Sequence, residues 1–268
     1  MFLISWLGIQ LAAGSDVRSG RAVAGWLSAA SGYVAGGVVK TAVVIEADKG
    51  WHTYWSNPGE SGIPTEMTFD LPDGWKVVET GAPPPMRFEA SGLASFGYAG
   101  RTYFPVTLQA PQGAAGKVVL KASLTWLACD DGGCVPGDAE LSLELADGAA
   151  EATEHRAEIE RALERLPVAD HGFGLEVVDR GSTLEIRLEW VGGGGPVVDP
   201  VDCEVFPVSA ERIRSAEVPR FRKVADGWVA EVAKSDYLSG AVPDLRLLLV
   251  DRKRGKSVSV GWRADRAE

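Results

Sequence analysis

Between residues 38 and 145 the chain alternates apolar and polar positions in short runs, at 38–47, 65–71, 75–79, 103–109, 117–128 and 139–144. A period of two sends successive side chains to opposite faces of a strand, and Gly, Pro and Asp fill the gaps where turns are needed. Six such runs predict an antiparallel sandwich. The pattern then changes. Across 149–166, Ala152, His155, Ile159, Ala162, Leu163 and Leu166 recur at helical spacing among Glu and Arg, and Pro167 closes the segment. That spacing predicts a linker helix with one docking face. Strand-like alternation returns at 174–191, 201–208, 220–232, 245–251 and 257–262, which predicts a second, smaller β domain. The glycine run at 192–195 lacks a following Lys-Ser/Thr and a helix opening behind it, so it reads as a hairpin tip and not as a phosphate cradle. The expected organisation is all-β, with a sandwich over 17–147, a linker helix over 148–168 and a second sandwich-like domain over 169–268.

Residues 1–14 are apolar with small residues at the end, and the first charge is Asp16. Residues 1–16 read as an export signal, although no Lys or Arg precedes the apolar run; the alternative is an N-terminal strand. No later stretch reaches the roughly 18 to 20 apolar residues that span a bilayer, so the mature chain is expected to be soluble and not membrane-spanning. With 268 residues, 46% of them hydrophobic, the chain can fill two ordinary cores. The formal charge of -10 argues against nucleic acid as a partner, because phosphate binding needs a surplus of Lys and Arg on one face.

Chemistry is concentrated in sulfur. Cys129 and Cys134 flank Asp130-Asp131-Gly132-Gly133 at the end of the run 117–128, a spacing that suits a hairpin with a four-residue tip. Residues facing each other across such a tip have Cα atoms roughly 4.5 to 5.5 Å apart, within the window for a disulfide. A bridge closing a loop of about six residues restrains the unfolded chain by roughly 2 kcal/mol, against more than about 4 for a loop near a hundred residues. As a staple it is poorly placed, which favours a redox role over a structural one. Two thiolates without a second pair, and without ligand spacing at His52, His155 or His171, make zinc a weak reading. A Cu(I) site using these thiolates with His52 or Met86 stays open. Asp130 and Asp131 should hold the thiols at or above their ordinary pKa, so the pair would react mainly when a partner thiolate attacks it. Cys203 stands alone on an alternating stretch and reads as a core cysteine, or else as a thiol free to form mixed disulfides. No Ser-His-Asp set and no cofactor-binding motif is legible.

The segment Gly50-Trp51-His52-Thr53-Tyr54-Trp55-Ser56-Asn57-Pro58-Gly59-Glu60-Ser61-Gly62 reads as a strand running into a Pro-Gly turn. His52 and Tyr54 then share one face, where they can line a groove, and Trp51, Thr53 and Trp55 share the other as packing residues. Together with Arg87-Phe88, Ser95-Phe96-Gly97-Tyr98 and the Cys129 to Cys134 segment followed by Val135-Pro136, this resembles the DsbD N-terminal domain family, in particular its ScsB-like branch. The resemblance covers about 36–145 closely and the second domain more loosely. The Cys-x4-Cys spacing is one residue shorter than in DsbD itself.

The resemblance implies an immunoglobulin-like sandwich in the periplasm, with Cys129 and Cys134 catalytic and no cofactor. By thiol-disulfide exchange the pair would relay electrons to or from thioredoxin-like or membrane-embedded thiol-disulfide oxidoreductases. It also implies a loop that caps the cysteines. Its counterpart falls within 87–98, where Phe88 or Phe96 would shield the sulfurs, Glu89 supplies the one acidic group, and Tyr98, His52, Tyr54, Asp130 and Asp131 line the site. A rival class is a non-catalytic binding or chaperone-like sandwich, in a copper-binding version or without metal, that keeps the hairpin disulfide for structure.

Overall fold

The computed structural model describes residues 16–264 apart from Ser91, Ala149, Asp170 and His171, so nearly all of the expected signal segment, and His171, lie outside the described residues. The first sandwich is built from β1 (Val17–Ser19), β2 (Ala22–Ser28), β3 (Gly32–Tyr33), β4 (Val38–Ala47), β5 (His52–Gly59), β6 (Glu66–Asp70), β7 (Lys76–Thr80), β8 (Met86–Ala90), β9 (Leu93–Ala99), β10 (Arg101–Gln109), β11 (Val118–Asp130) and β12 (Gly133–Asp147). One sheet has the order β1-β2-β4-β10-β7; the other runs β3-β12-β11-β5-β9-β8, with β6 also paired to β11. The pairings are antiparallel except that of β3 with β12. This is the expected immunoglobulin-like antiparallel architecture.

Period-two alternation explains the long β11–β12 hairpin. Leu120, Ala122, Leu124 and Trp126 point inward from β11, as Ala139, Leu141, Leu143 and Leu145 do from β12, and all eight are buried. They meet Trp26, Val43, Ile45, Val106 and Leu108 of the opposite sheet in one core. The buried Thr41 hydroxyl accepts from Trp26 Nε1 at 3.0 Å and donates to the Val106 carbonyl at 2.8 Å, so the core leaves neither group unpaired.

The helix α1 (Arg156–Glu164) occupies the middle of the segment expected to be helical. Its docking face is Ile159, fully buried against Leu27, Ala29, Ala42 and Val44, so the helix packs on the outside of the first sheet. Beyond it come β13 (Val168–Ala169), β14 (Phe173–Asp179), β15 (Thr183–Trp190), β16 (Glu204–Pro207), β17 (Arg222–Val224), β18 (Gly227–Ala233), β19 (Asp244–Asp251) and β20 (Lys256–Arg263). They form two four-stranded sheets, β13-β20-β19-β16 and β14-β15-β18-β17. Residues 192–195 are not a hairpin tip: they follow β15 and lead across to the other sheet, entering a single 3-10 turn at Pro200–Asp202 before β16. That crossing needs an irregular connection, which four glycines permit.

The sheet carrying β16 and β19 is buried on both faces. Leu245, Leu247 and Leu249 belong to the second core, whereas Leu248 and Val250 pack into the core of the first sandwich. On β16, Val205 faces the second core and Phe206 the first. Two-sided burial accounts for the run Leu-Leu-Leu-Val at 247–250, where a half-exposed strand would alternate.

Candidate functional site

Cys129 and Cys134 are opposite one another in the β11–β12 register and form a disulfide, with Cα atoms 4.1 Å apart. Asp130 pairs with Gly133, so the hairpin closes through a two-residue tip, Asp131-Gly132, tighter than the four-residue tip expected. The Asp130 carboxylate makes this possible: Oδ1 accepts from the Gly132 and Gly133 amides at 2.8 and 3.1 Å. Asp130 therefore serves the turn, as Asx side chains commonly do, while Asp131 is exposed at the tip.

The two cysteines sit in unequal surroundings. Cys129 is 3% exposed, on the middle strand of three, because β11 pairs with β12 on one side and through Cys129 itself with His52 of β5 on the other. Cys134 is exposed; among the described residues, this end of β12 pairs only with β11. An incoming thiolate can reach Cys134 and meets Cys129 only after displacing its neighbours.

The segment expected to be a capping loop is a β-hairpin, β8–β9. It folds back so that the Phe88 ring stacks on the His52 imidazole, with centroids 4.1 Å apart and planes 10° from parallel. Tyr54 meets the same imidazole edge-on at 5.1 Å, consistent with a shared face for His52 and Tyr54. Both are buried, at 8% and 3% exposed, so they form the floor under the cap and not an open groove. Two glycines allow the close fit. A Cβ on Gly97 would stand 1.8 Å from the Thr53 carbonyl oxygen, and one on Gly62, whose φ is +100°, would enter the Tyr54 ring.

Burial pushes the His52 imidazole below its ordinary value, and the Asp131 and Asp130 carboxylates offset only part of that. His52 Nε2 is buried without a hydrogen-bond partner. Burial likewise raises the Tyr54 phenol, against a hydrogen bond from Ser61 that lowers it.

Of the remaining expected residues, Glu89 is exposed on β8. Phe96 and Tyr98 are core residues. Phe96 is fully buried edge-on to Phe206 at 5.5 Å, and Tyr98 packs edge-on to Phe104 while its hydroxyl donates to the Pro83 carbonyl at 2.9 Å. Of the two rings, Phe88 is the one that stacks on His52, the cross-strand neighbour of Cys129. Cys203 ends the 3-10 turn just before β16 and is only partly buried, with Sγ donating to the Asp199 carbonyl at 3.3 Å. Burial, followed by Asp251, Asp199 and Asp202, pushes this thiol up to about 12. Among the described residues no group of three or more His, Cys, Asp or Glu is placed to hold a metal ion, and no helix is long and apolar enough to cross a membrane.

Sequence reasoning missed the residues that mount the cap on the second sandwich. Arg87, beside Phe88, lies 5.0 Å over the Phe96 ring and donates to the Ser215 and Glu217 carbonyls at 2.6 and 3.3 Å. Arg252 donates to the Pro85 carbonyl at the start of the hairpin. Buried Asn57 donates to the Pro207 carbonyl at 2.7 Å and accepts from the Gly59 amide, which explains the Asn-Pro-Gly sequence better than a turn alone does.

Residues 27–146 match the family described as thiol:disulfide interchange protein DsbD, N-terminal. Among solved structures, the N-terminal periplasmic domain of ScsB from Proteus mirabilis is 20% identical with a TM-score of 0.65, over 91% of this chain and 93% of that one. That likeness extends through both sandwiches and shows a shared fold. The YadV chaperone (8% identity, TM-score 0.22, 89% of this chain and 99% of that one) and the sporulation control protein Spo0M from Bacillus subtilis (13%, 0.24, 92% and 91%) are too distant to carry an argument. No curated protein matches the chain. A family match that ends at residue 146 and contains the whole β11–β12 tip identifies the first sandwich: residues 27–146 of this chain form a DsbD N-terminal-like domain.

Proposed function

We propose that residues 17–147 are a thiol-disulfide exchange module that relays electrons through Cys129 and Cys134 to or from thioredoxin-like or membrane-embedded oxidoreductases, in the periplasm of an exported chain. On this reading residues 148–168 are a linker and 169–268 a supporting domain. The observation that carries it is the asymmetry of the pair: an exposed Cys134, on a strand end that among the described residues pairs only with β11, bonded to a Cys129 buried between β12 and β5.

In the reducing direction a partner thiolate attacks Cys134 Sγ, forming a mixed disulfide and breaking the Cys129–Cys134 bond. The electron pair of that bond goes to Cys129 Sγ, which leaves as a thiolate and takes up a proton. The partner's second thiolate then attacks its own sulfur in the mixed disulfide and releases Cys134, which is protonated in turn. Two electrons and two protons reach the pair, and the partner's dithiol becomes a disulfide. The DsbD N-terminal match and the periplasmic setting of the ScsB domain support this assignment.

The test is the redox equilibrium of the pair in a Cys203→Ser background, by thiol trapping against graded glutathione and dithiothreitol buffers. A reversible couple in the range of roughly -120 to -270 mV is expected, and with Cys129→Ser the remaining Cys134 should trap a partner as a mixed disulfide. A potential below about -300 mV, or a bridge that opens only on unfolding, would make the disulfide structural and leave a non-catalytic binding module.

A further inference from the structure

The imidazole of His52 is not explained by exchange at Cys134. It is buried among aromatic rings, stacked under Phe88 and met edge-on by Tyr54, yet it carries a polar nitrogen without a partner. A hydrocarbon ring would fill the same space without that cost, since a buried unpaired polar atom is unfavourable. The backbone places His52 directly opposite Cys129 across the β5–β11 pair. Cross-strand partners of an antiparallel ladder present their side chains on the same face, with Cβ atoms about 4.5 to 5.5 Å apart. The imidazole is therefore within reach of the Cys129 sulfur.

In the disulfide, Cys129 Sγ has no hydrogen to donate and no charge to stabilise. Reduction changes that: the same buried sulfur becomes first a thiolate and then a thiol, each needing a polar neighbour in a site closed to water. We propose that His52 is the hydrogen-bonding partner of reduced Cys129, its unpaired Nε2 meeting the sulfur when the disulfide opens, so that the protein holds an unsatisfied group in the oxidised state and satisfies it in the reduced one. The inference rests on the redox reading and adds a direction to it. His52 stabilises the reduced pair and makes it easier to reduce. The charged groups that face the ring are Asp131 and Asp130 at the hairpin tip, and Tyr54 is its other polar neighbour.

The experiment uses the full chain with Cys203→Ser and dithiothreitol as the dithiol. His52→Phe keeps a flat ring for Phe88 to stack on and removes both nitrogens; His52→Gln keeps a hydrogen-bonding group near the Nε2 position. The equilibrium constant for reduction should fall about tenfold in His52→Phe, the loss of roughly one buried hydrogen bond, and recover in part in His52→Gln. The nitrogen NMR resonance of the His52 ring should also shift when the unsubstituted pair is reduced. An equilibrium constant within about twofold of the parent in His52→Phe, or a ring resonance that ignores reduction, would leave His52 a packing residue and overturn the proposal. Should His52→Phe fail to fold, the glutamine variant and the parent resonance still decide. If the parent pair cannot be reduced reversibly, the redox reading itself falls, an outcome distinct from a reversible pair indifferent to His52.

Discussion

The two sandwiches use the same strand grammar and treat their polar atoms differently. In the first, the β11–β12 hairpin carries a disulfide to an exposed strand end and folds a second hairpin over the neighbouring imidazole. In the second, the lone Cys203 is tied to a backbone carbonyl, with its thiol pushed up to about 12, so it is almost wholly protonated at neutral pH and a poor nucleophile. On the redox reading proposed above, reactive sulfur needs access on one side and a polar neighbour on the other, and the described residues of the first sandwich offer exposed Cys134 and His52 for these roles. What the second supplies is support: a strand pair buried on both faces, carbonyls that accept from Arg87, and the Arg252 guanidinium, which donates to the Pro85 carbonyl at the base of the β8–β9 hairpin.

The largest effect should come from breaking the shared packing. Phe206 is 1% exposed and stands edge-on to both Trp55 of β5 and Phe96 of β9. Phe206→Ala should cost about 3–5 kcal/mol in denaturant unfolding, as large aromatic truncations in closed cores do. Equilibrium unfolding should also change from one transition to two as the sandwiches uncouple. A loss under about 1 kcal/mol would mean that the two cores are adjacent but energetically independent.

Arg87 sharpens the contrast without emptying the core. Its guanidinium makes two bonds to carbonyls of the second sandwich, and burial lowers its pKa against the pull of Glu89, Glu204 and Glu60. Arg87→Ala should cost about 1–3 kcal/mol, the range for losing charge-assisted bonds and leaving an acceptor unpaired. Because Phe88 follows it on β8, the variant should also speed reduction of Cys129–Cys134 by dithiothreitol. Lost stability with an unchanged reduction rate would show that the clamp does not govern the cap.

Much of this was legible in advance, and the failures have physical causes. Period-two runs marked β4, β6, β7, β10, β11 and β12, most plainly β11 and β12, which bury one face against the core, and Cys129 and Cys134 could be paired from their spacing alone. The two-residue tip was not foreseen, because it depends on the Asp130 carboxylate capping the turn. The β8–β9 hairpin was not expected although Met86-Arg87-Phe88-Glu89-Ala90 alternates, because the run is only five residues long and the family resemblance makes 87–98 a loop. The family resemblance puts Phe96 and Tyr98 in the capping segment 87–98. On β9 they are spaced by two and both point into the first core, while Phe88 of β8 meets His52. The clamp by Arg87, Arg252 and Asn57 joins residues more than 125 positions apart and leaves no local signature.

The smallest effect expected is that of one proton on His52. Burial keeps the folded imidazole below its ordinary value of 6.5, so well above that pH the ring is uncharged in both folded and unfolded chains and contributes nothing to pH dependence. As pH falls through 6.5, the unfolded chain binds a proton that the folded chain still refuses. Stability must therefore decline until the folded ring also titrates. His52→Phe has no proton to bind, so between about pH 7 and about pH 5 the parent should lose stability relative to the variant in otherwise identical denaturant titrations. Parallel curves would mean that Asp130 and Asp131 offset the burial in full. The imidazole would then be free to charge in place, and the cap over the first sandwich would be held by stacking alone.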